Sequence, residues 1–285
     1  MTSVSTGITE TVATAIDVVG AILQAELVQN SVLLPTVMDY SSWVVPGANT
    51  VKVPNAGSFT AGDKVENTAS DFQALTFATD DIELSVYKHI VAEVEDRAKE
   101  QAAVDVEGEY IRRMATAMVE AIESSIAGVI VKSANDIQLS ATGAVANDSI
   151  AKVDILEARK DLDDLKVPQS DRFLVIPPAQ EKVMLQIDDF VDASKYGSTE
   201  AIQNGELGRI FGMKVIKTTS LSSDTEAVIY HRSHAAFARQ LAPKFEKQRA
   251  SLSKLADELS LSLLYGVKQL DSGNRGIYLD ESAVA

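Results

Sequence analysis

Asn204-Gly205-Glu206-Leu207-Gly208-Arg209-Ile210-Phe211-Gly212-Met213-Lys214-Val215-Ile216-Lys217-Thr218 is the stretch on which the reading of this chain turns. Its three glycines force sharp bends in the backbone. The segment reads as a short turn of helix packed against a strand that begins at Met213. Arg172-Phe173-Leu174-Val175-Ile176-Pro177-Pro178 precedes it as a buried strand, and a polar loop over residues 188–203 lies between. There is no Gly-Lys-Ser/Thr ending, and the glycines lead into a strand rather than from a strand into a helix, so this is not a phosphate loop. It reads as a rigid wedge at the tip of a domain.

Working outward, residues 151–166 carry Val153, Leu156, Leu162 and Leu165 at helical spacing, and Pro168 stops that helix. Pro177-Pro178 opens a further helix to about Ile187, as proline in a first turn allows. Residues 213–218 and 227–230 are strands. Helix, strand, helix, strand, strand is a small α/β unit. Residues 235–265 read as long β structure, although Leu252, Leu255, Leu259 and Leu263 fit a helix almost as well. Residues 267–279 read as a strand pair around Ser272-Gly273-Asn274-Arg275-Gly276.

Toward the N-terminus, residues 93–132 give the strongest helical pattern. Ile111, Met114, Met118, Ile122, Ile126 and Val129 form one stripe, flanked by alanines, and the length suits a spine. Gly108 and Gly128 are places where it can bend or shorten. Residues 50–88 alternate as strands do, around turns at residues 54–57 and 60–63, and predict a long two-stranded excursion. A lone ribbon is marginal in water, so it needs something to lie on. Residues 8–29 form an amphipathic helix through Ile8, Val12, Ile16, Val19, Leu23 and Leu27. Trp43, in the extended segment that follows, is read as a packing anchor.

The chain has 285 residues and no cysteine, which excludes disulfides and thiolate metal sites. No apolar run reaches the roughly 18 residues of a membrane helix. The first basic residue is Lys52, so neither a signal peptide nor a basic N-terminal arm is expected. The net charge of −15 is uneven: 8 basic and 21 acidic residues fall in the first 150, against 18 and 20 in the rest. Residues 63–109 hold 13 acids and 4 bases, and residues 232–254 hold 6 bases and Glu246 alone. These are either two solvated faces or an acidic arm of one copy meeting a basic strand of another.

Candidate chemistry is sparse. His231-x-x-His234 lacks a third metal ligand nearby and His89 stands apart, so surface or strand-end histidines are expected and no metal. Asp188, Asp189 and Asp192 lack the glycine and distal glutamate of a calcium loop. No Gly-x-Ser-x-Gly elbow is present. The reading is no catalytic residue, no cofactor and no metal. A metal hydrolase using His231, His234 and nearby acids is the alternative from another class.

The element order is helical arm, ribbon excursion, spine helix, α/β unit, and β structure returning to the spine. That order, with Val51-Lys52-Val53-Pro54, Ala121-Ile122-Glu123, residues 172–178 and residues 204–217, resembles the major capsid proteins of tailed bacteriophages. Their shell fold is the Hong Kong 97 type, an α+β fold. The resemblance implies an N-terminal arm over residues 1–49 and an extended loop over 50–92 that lies on a neighbour. It also implies a peripheral domain with the spine over 93–150, an axial domain over 151–230 meeting symmetry axes, and a return to the peripheral domain over 231–285. It implies self-assembly into pentamers and hexamers of an icosahedral virion shell around double-stranded DNA, put together in the host cytoplasm. A separate scaffolding protein and a portal would be partners, with a decoration protein as a further candidate, no sequence-specific DNA contact and no membrane. A bacterial nanocompartment shell of the encapsulin type is the nearer alternative. Lys64, Glu66, Asp71, Arg239, Lys244, Lys247 and Arg249 are the expected inter-subunit contacts. Lys64 and Asn274 could be cast as a cross-linking pair, though no matching acid stands beside them. Reversing Lys244, Lys247 and Arg249 to glutamate is expected to impair assembly more than folding.

Overall fold

The computed structural model describes residues 31–56, 77–101, 106–133, 135–139, 150–184, 208–224, 226–250 and 254–280, with a few single residues between 59 and 74. The strands are β1 (Met38–Asp39), β2 (Thr50–Ala56), β3 (Phe77–Glu83), β4 (Val86–Glu95), β5 (Asp136–Gln138), β6 (Arg172–Ile176), β7 (Arg209–Ile210), β8 (Met213–Lys217), β9 (Ala227–His231), β10 (Ala235–Arg249), β11 (Ala256–Gln269) and β12 (Gly276–Asp280). The helices are α1 (Asp96–Gln101), α2 (Val106–Ile130), α3 (Lys152–Asp164) and α4 (Pro178–Met184). The strands make a four-stranded sheet β1-β10-β11-β4, a six-stranded sheet β5-β12-β9-β6-β8-β7, and the ribbon β2-β3. The predicted helix over residues 8–29, the polar loop over residues 188–203 and Asn204 to Leu207 of the opening motif lie outside the described residues.

The spine is shorter than its periodicity suggests. Residues 93–95 belong to β4, and α2 closes at Ile130. Its 25 residues span about 37 Å. β4 alternates half-buried Val86, Ile90 and Ala92 and buried Val94 with exposed Tyr87 and Val91, and that period of two wins over the helical one. Along α2, Met114, Met118, Ile122 and Ile126 are buried as the stripe requires. They share one core with Val94, Phe245, Leu259, Leu261 and Leu263 of the four-stranded sheet and with Val175, Ile216, Val228 and Tyr230 of the six-stranded sheet. The spine therefore draws one face of each sheet into a single core. The other face of the six-stranded sheet packs Leu174, Ile176, Ile229, Ile277 and Leu279 against Ile155, Ala158 and Leu162 of α3.

Several local expectations are corrected. On α3 the buried side is Ile155, Ala158 and Leu162, while Val153, Leu156 and Leu165 are exposed. The helix ends before Pro168. Lys166 takes a left-handed φ of 57°, and the N–H groups of Lys166 and Val167 donate to the carbonyls of Asp163 and Leu162. In the opening motif, residues 209–210 are strand rather than helix. Ile210 pairs with Met213, and the two-residue loop Phe211-Gly212 has φ of 48° and 86°, both positive as such a hairpin turn demands. The leucines from 255 to 263 serve a strand: Leu259 and Leu263 are buried in β11, while exposed Leu255 sits in the turn before it. Residues 267–279 are not a strand pair, because residues 267–269 end β11 in one sheet and β12 lies in the other. Short β5 and β12 join the six-stranded sheet from outside residues 151–230. Trp43 meets Tyr40 edge-on at 5.1 Å but is 53% exposed, so it is not a buried anchor.

Candidate assembly surfaces

The ribbon rests at its base on its own chain. Val51 and Val53 of β2 and Ile82 of β3, with Leu84 just after it, bury themselves against Ala236, Ala238 and Leu270. Gly266 of β11 permits this approach, since a Cβ there would meet the Glu83 carbonyl oxygen at 2.2 Å. Two polar ties add to it: Asn55 Nδ2 donates to Asp271 Oδ1 (3.2 Å), and the Asp271 N–H donates to Asp80 Oδ2 (3.1 Å). The sequence offered no nearby sheet for the ribbon. The supporting strands come from some 180 residues further along the chain. Beyond this base, Phe59 is 65% exposed, and Lys64 and Glu66 are exposed.

The acid-rich and base-rich segments meet within one subunit. Arg249 binds Asp96 through both guanidinium Nη atoms and reaches Asp257 Oδ1 at 3.1 Å. Lys247 Nζ lies 2.7 Å from Glu107 Oε1, and Lys254 Nζ lies 2.9 Å from Glu93 Oε2. Lys99 Nζ sits 2.5 Å from Asp257 Oδ2 and 3.4 Å from Glu107 Oε2. The far ends of β10 and β11 are thereby stapled to α1, the start of α2 and the edge strand β4. The hydrogen bond from Lys99 holds the Asp257 carboxyl well below its ordinary range, at about 2, against a burial effect that pushes the other way. Asp96 is likewise lowered, first by its bond from Arg249.

Of the expected inter-subunit contacts, then, Lys247 and Arg249 already hold partners in their own chain. Lys244 pairs with its strand neighbour Glu246 at 2.5 Å. Arg239 is half-buried, its backbone N–H bonded to Ser41 Oγ at 3.0 Å. Asp71 lies outside the described residues. Exposed Tyr87 and Val91 share the outward side of β4, and exposed Leu241 lies on β10 across the same sheet. Asn274 is exposed in the turn before β12.

The sequence reading missed one group. Glu123, 9% exposed in the middle of α2, accepts hydrogen bonds from Ser31 Oγ (3.3 Å), from the N–H groups of Val32 and Leu33, and from Ser220 Oγ (3.5 Å). One carboxylate thus fixes residues 31–33 and the loop before β9 to the spine. A lone glutamate interrupting an apolar stripe was the available signal.

The histidines do not gather into a site. His89 is exposed and stacks on Tyr87, His231 bonds Ser233, and His234, directly before β10, is fully buried, so it fits the strand-end reading and not the surface one. Among the described residues no three His, Cys, Asp or Glu side chains cluster as a metal would need. No helix of the described residues is long and apolar enough to cross a membrane.

The phage capsid protein family matches residues 81–268. The chain belongs to that family. Its fold is of the Hong Kong 97 type, α+β. A solved structure from Mycobacterium phage Che8 superposes with a TM-score of 0.75 at 20% identity, covering 89% of this chain and 92% of the other. The capsid of cyanophage P-SCSP1u gives 0.71 at 15% identity over 87% of each chain. The capsid of a native GTA particle gives 0.62 at 16% identity over 88% and 90%. No curated protein matches the chain. A member of this family with this fold is a structural subunit of an icosahedral virion shell, a major capsid protein, and neither the nanocompartment nor the metal hydrolase is favoured.

Proposed function

We propose that this capsid protein assembles as pentamers and hexamers around double-stranded DNA, with no enzymatic activity of its own. In this reading residues 151–230 face the symmetry axes and residues 93–150 with 231–285 form the peripheral part. Residues 1–49 are an arm, and the extended loop of residues 50–92, whose last residues 86–92 run in β4, reaches over a neighbour. The observation that carries the assembly reading is the contrast along the ribbon. Its base is buried on its own sheet, while Phe59, Lys64 and Glu66 further out are exposed. A ribbon anchored at its base and exposed beyond it suits an element that a second copy covers, since a two-stranded ribbon is marginal on its own. Arg239 and Lys244 are proposed contacts for a neighbour's acidic Glu66 and Asp71, whereas Lys247 and Arg249 act first within the subunit. The net charge of −15 suits a shell that encloses DNA without gripping it, since backbone binding scales with Lys and Arg contacts. A separate scaffolding protein and a portal complete the particle, a decoration protein is a further candidate partner, and assembly takes place in the host cytoplasm.

Electron microscopy of the expressed chain, alone and with the scaffolding protein, tests this. Closed shells with five- and six-fold clusters are expected. A strictly monomeric product under both conditions would overturn it.

A further inference from the structure

Among the described residues the chain passes between its two sheets three times: from α2 to β5, from β9 to β10, and from β11 to β12. The three passages meet around His234. His234 belongs to the short turn Arg232–His234 between β9 and β10 and is fully buried. Its carbonyl accepts the Leu270 N–H at the end of β11 (2.8 Å). Its ring lies flat enough against Gly276, at the start of β12, that a Cβ there would stand 2.6–2.9 Å from three ring atoms. Ser133, just past α2, donates its hydroxyl to the Gly276 carbonyl, and the Gln269 amide donates to the Lys132 carbonyl.

Both ring nitrogens of His234 lack a hydrogen-bond partner among the described residues, as does the buried Asn135 Nδ2 in the first passage. Unpaired buried nitrogens in a position this crowded are unusual in a native fold. Among the described residues none supplies a counter-charge. Tyr230, whose ring centroid is 5.9 Å away, turns its phenol to Thr36. Arg232 donates to the Val37 carbonyl, and Arg275 binds Ser233 and Asp271. His231, on the β9 side, is engaged with Ser233. Among the described residues the Ile130 carbonyl lies near the ring, outside hydrogen-bond geometry, and favours a proton on it.

We propose that His234 is an acid-sensitive latch of the joint between the two sheets, whose protonation loosens the three passages and frees the sheets to move against each other. Burial holds its ring at about 4, below the ordinary imidazole range near 6.5. The sign follows from that direction. The neutral ring is favoured by the closed joint, so the latch contributes fully above about pH 6.5, and its contribution falls as pH drops from there toward about 4.

Hydrogen exchange of the full chain, corrected for the intrinsic effect of pH, reads the opening. Between pH 7 and 4.5, opening of residues 229–236 and 270–278 should rise on the order of 50-fold, with α3 unaffected. His234→Phe and His234→Gln, neither of which titrates, should abolish that rise. Direct NMR titration of the His234 ring in the unmodified chain gives a reading that needs no variant to fold. A ring that titrates near 6.5 overturns the proposal. So does a pH response that survives in either variant, or one that is equal throughout the chain.

Discussion

The two ends of β10 are held in opposite ways. At its start, Ala236 and Ala238 lie under the ribbon, and the contact is apolar and close enough to exclude a Cβ at Gly266. At its far end, Lys247 and Arg249 reach three carboxylates, on α1, α2 and β11, through partly exposed ion pairs. Between them the strand changes register around Pro243, a residue that cannot donate to a ladder. One strand therefore has a joint built on burial and a joint built on charge. The first should be insensitive to salt, and the second sensitive to both salt and pH.

The largest expected effect tests the apolar end. Ile82→Ala removes a fully buried side chain and should cost about 3 kcal/mol in denaturant unfolding, equally at low and high salt. A loss under about 1 kcal/mol would mean that burial does not hold the ribbon base. Next comes Glu123→Ala, which strands the buried N–H of Leu33 and the partly buried N–H of Val32 and should cost about 2 kcal/mol. Protease sensitivity near residue 31 should rise with it, and an unchanged digestion pattern would count against the clamp.

The charged end is tested by Lys247→Glu with Arg249→Glu. Its unfolding midpoint should fall at low salt and recover toward that of the parent in about 1 M salt, where screening is nearly complete. A midpoint deficit that ignores salt would move this joint into the apolar class. Asp257→Asn sharpens the same point by pH. Because Asp257 is depressed to about 2 from 3.8, its stabilisation is present above about pH 3.8 and disappears as pH falls through about 2. The stability curves of parent and variant should differ at pH 5 and converge near pH 2, and parallel curves would contradict the pairing. The smallest effect on folding is expected from Arg239→Glu with Lys244→Glu. The midpoint should barely move while the particle yield drops, and normal particles at low salt would remove these two residues from the interface.

What the sequence made legible depended on the range of the interaction that decides each element. The α2 stripe, the buried strand at residues 172–176 and the paired strands of the ribbon follow from neighbours a few residues apart, and they stand where the periodicities put them. The start of the spine was misread because Val94 and its neighbours satisfy helical spacing as well, and only pairing with β11 makes them a strand. The apolar face assigned to α3 failed similarly. Val153, Leu156 and Leu165 are as hydrophobic as the residues beside them, and the side that packs is chosen by the six-stranded sheet. For the assembly surface, composition revealed the complementary charges but not whose they were.

The sequence by itself determined an α+β subunit with a spine, a ribbon and an α/β unit, because periodicity, proline and glycine act through local sterics. It also determined that no cysteine chemistry is available, and through its order of elements it pointed to a capsid shell. Only the tertiary structure decided that the acidic and basic segments close on each other within one chain, that β12 leaves its sequence neighbour for the other sheet, and that His234 sits unpaired where all three passages cross. Each of these depends on which distant segments share a sheet, and that is set by the burial of a common core rather than by any residue's own preference.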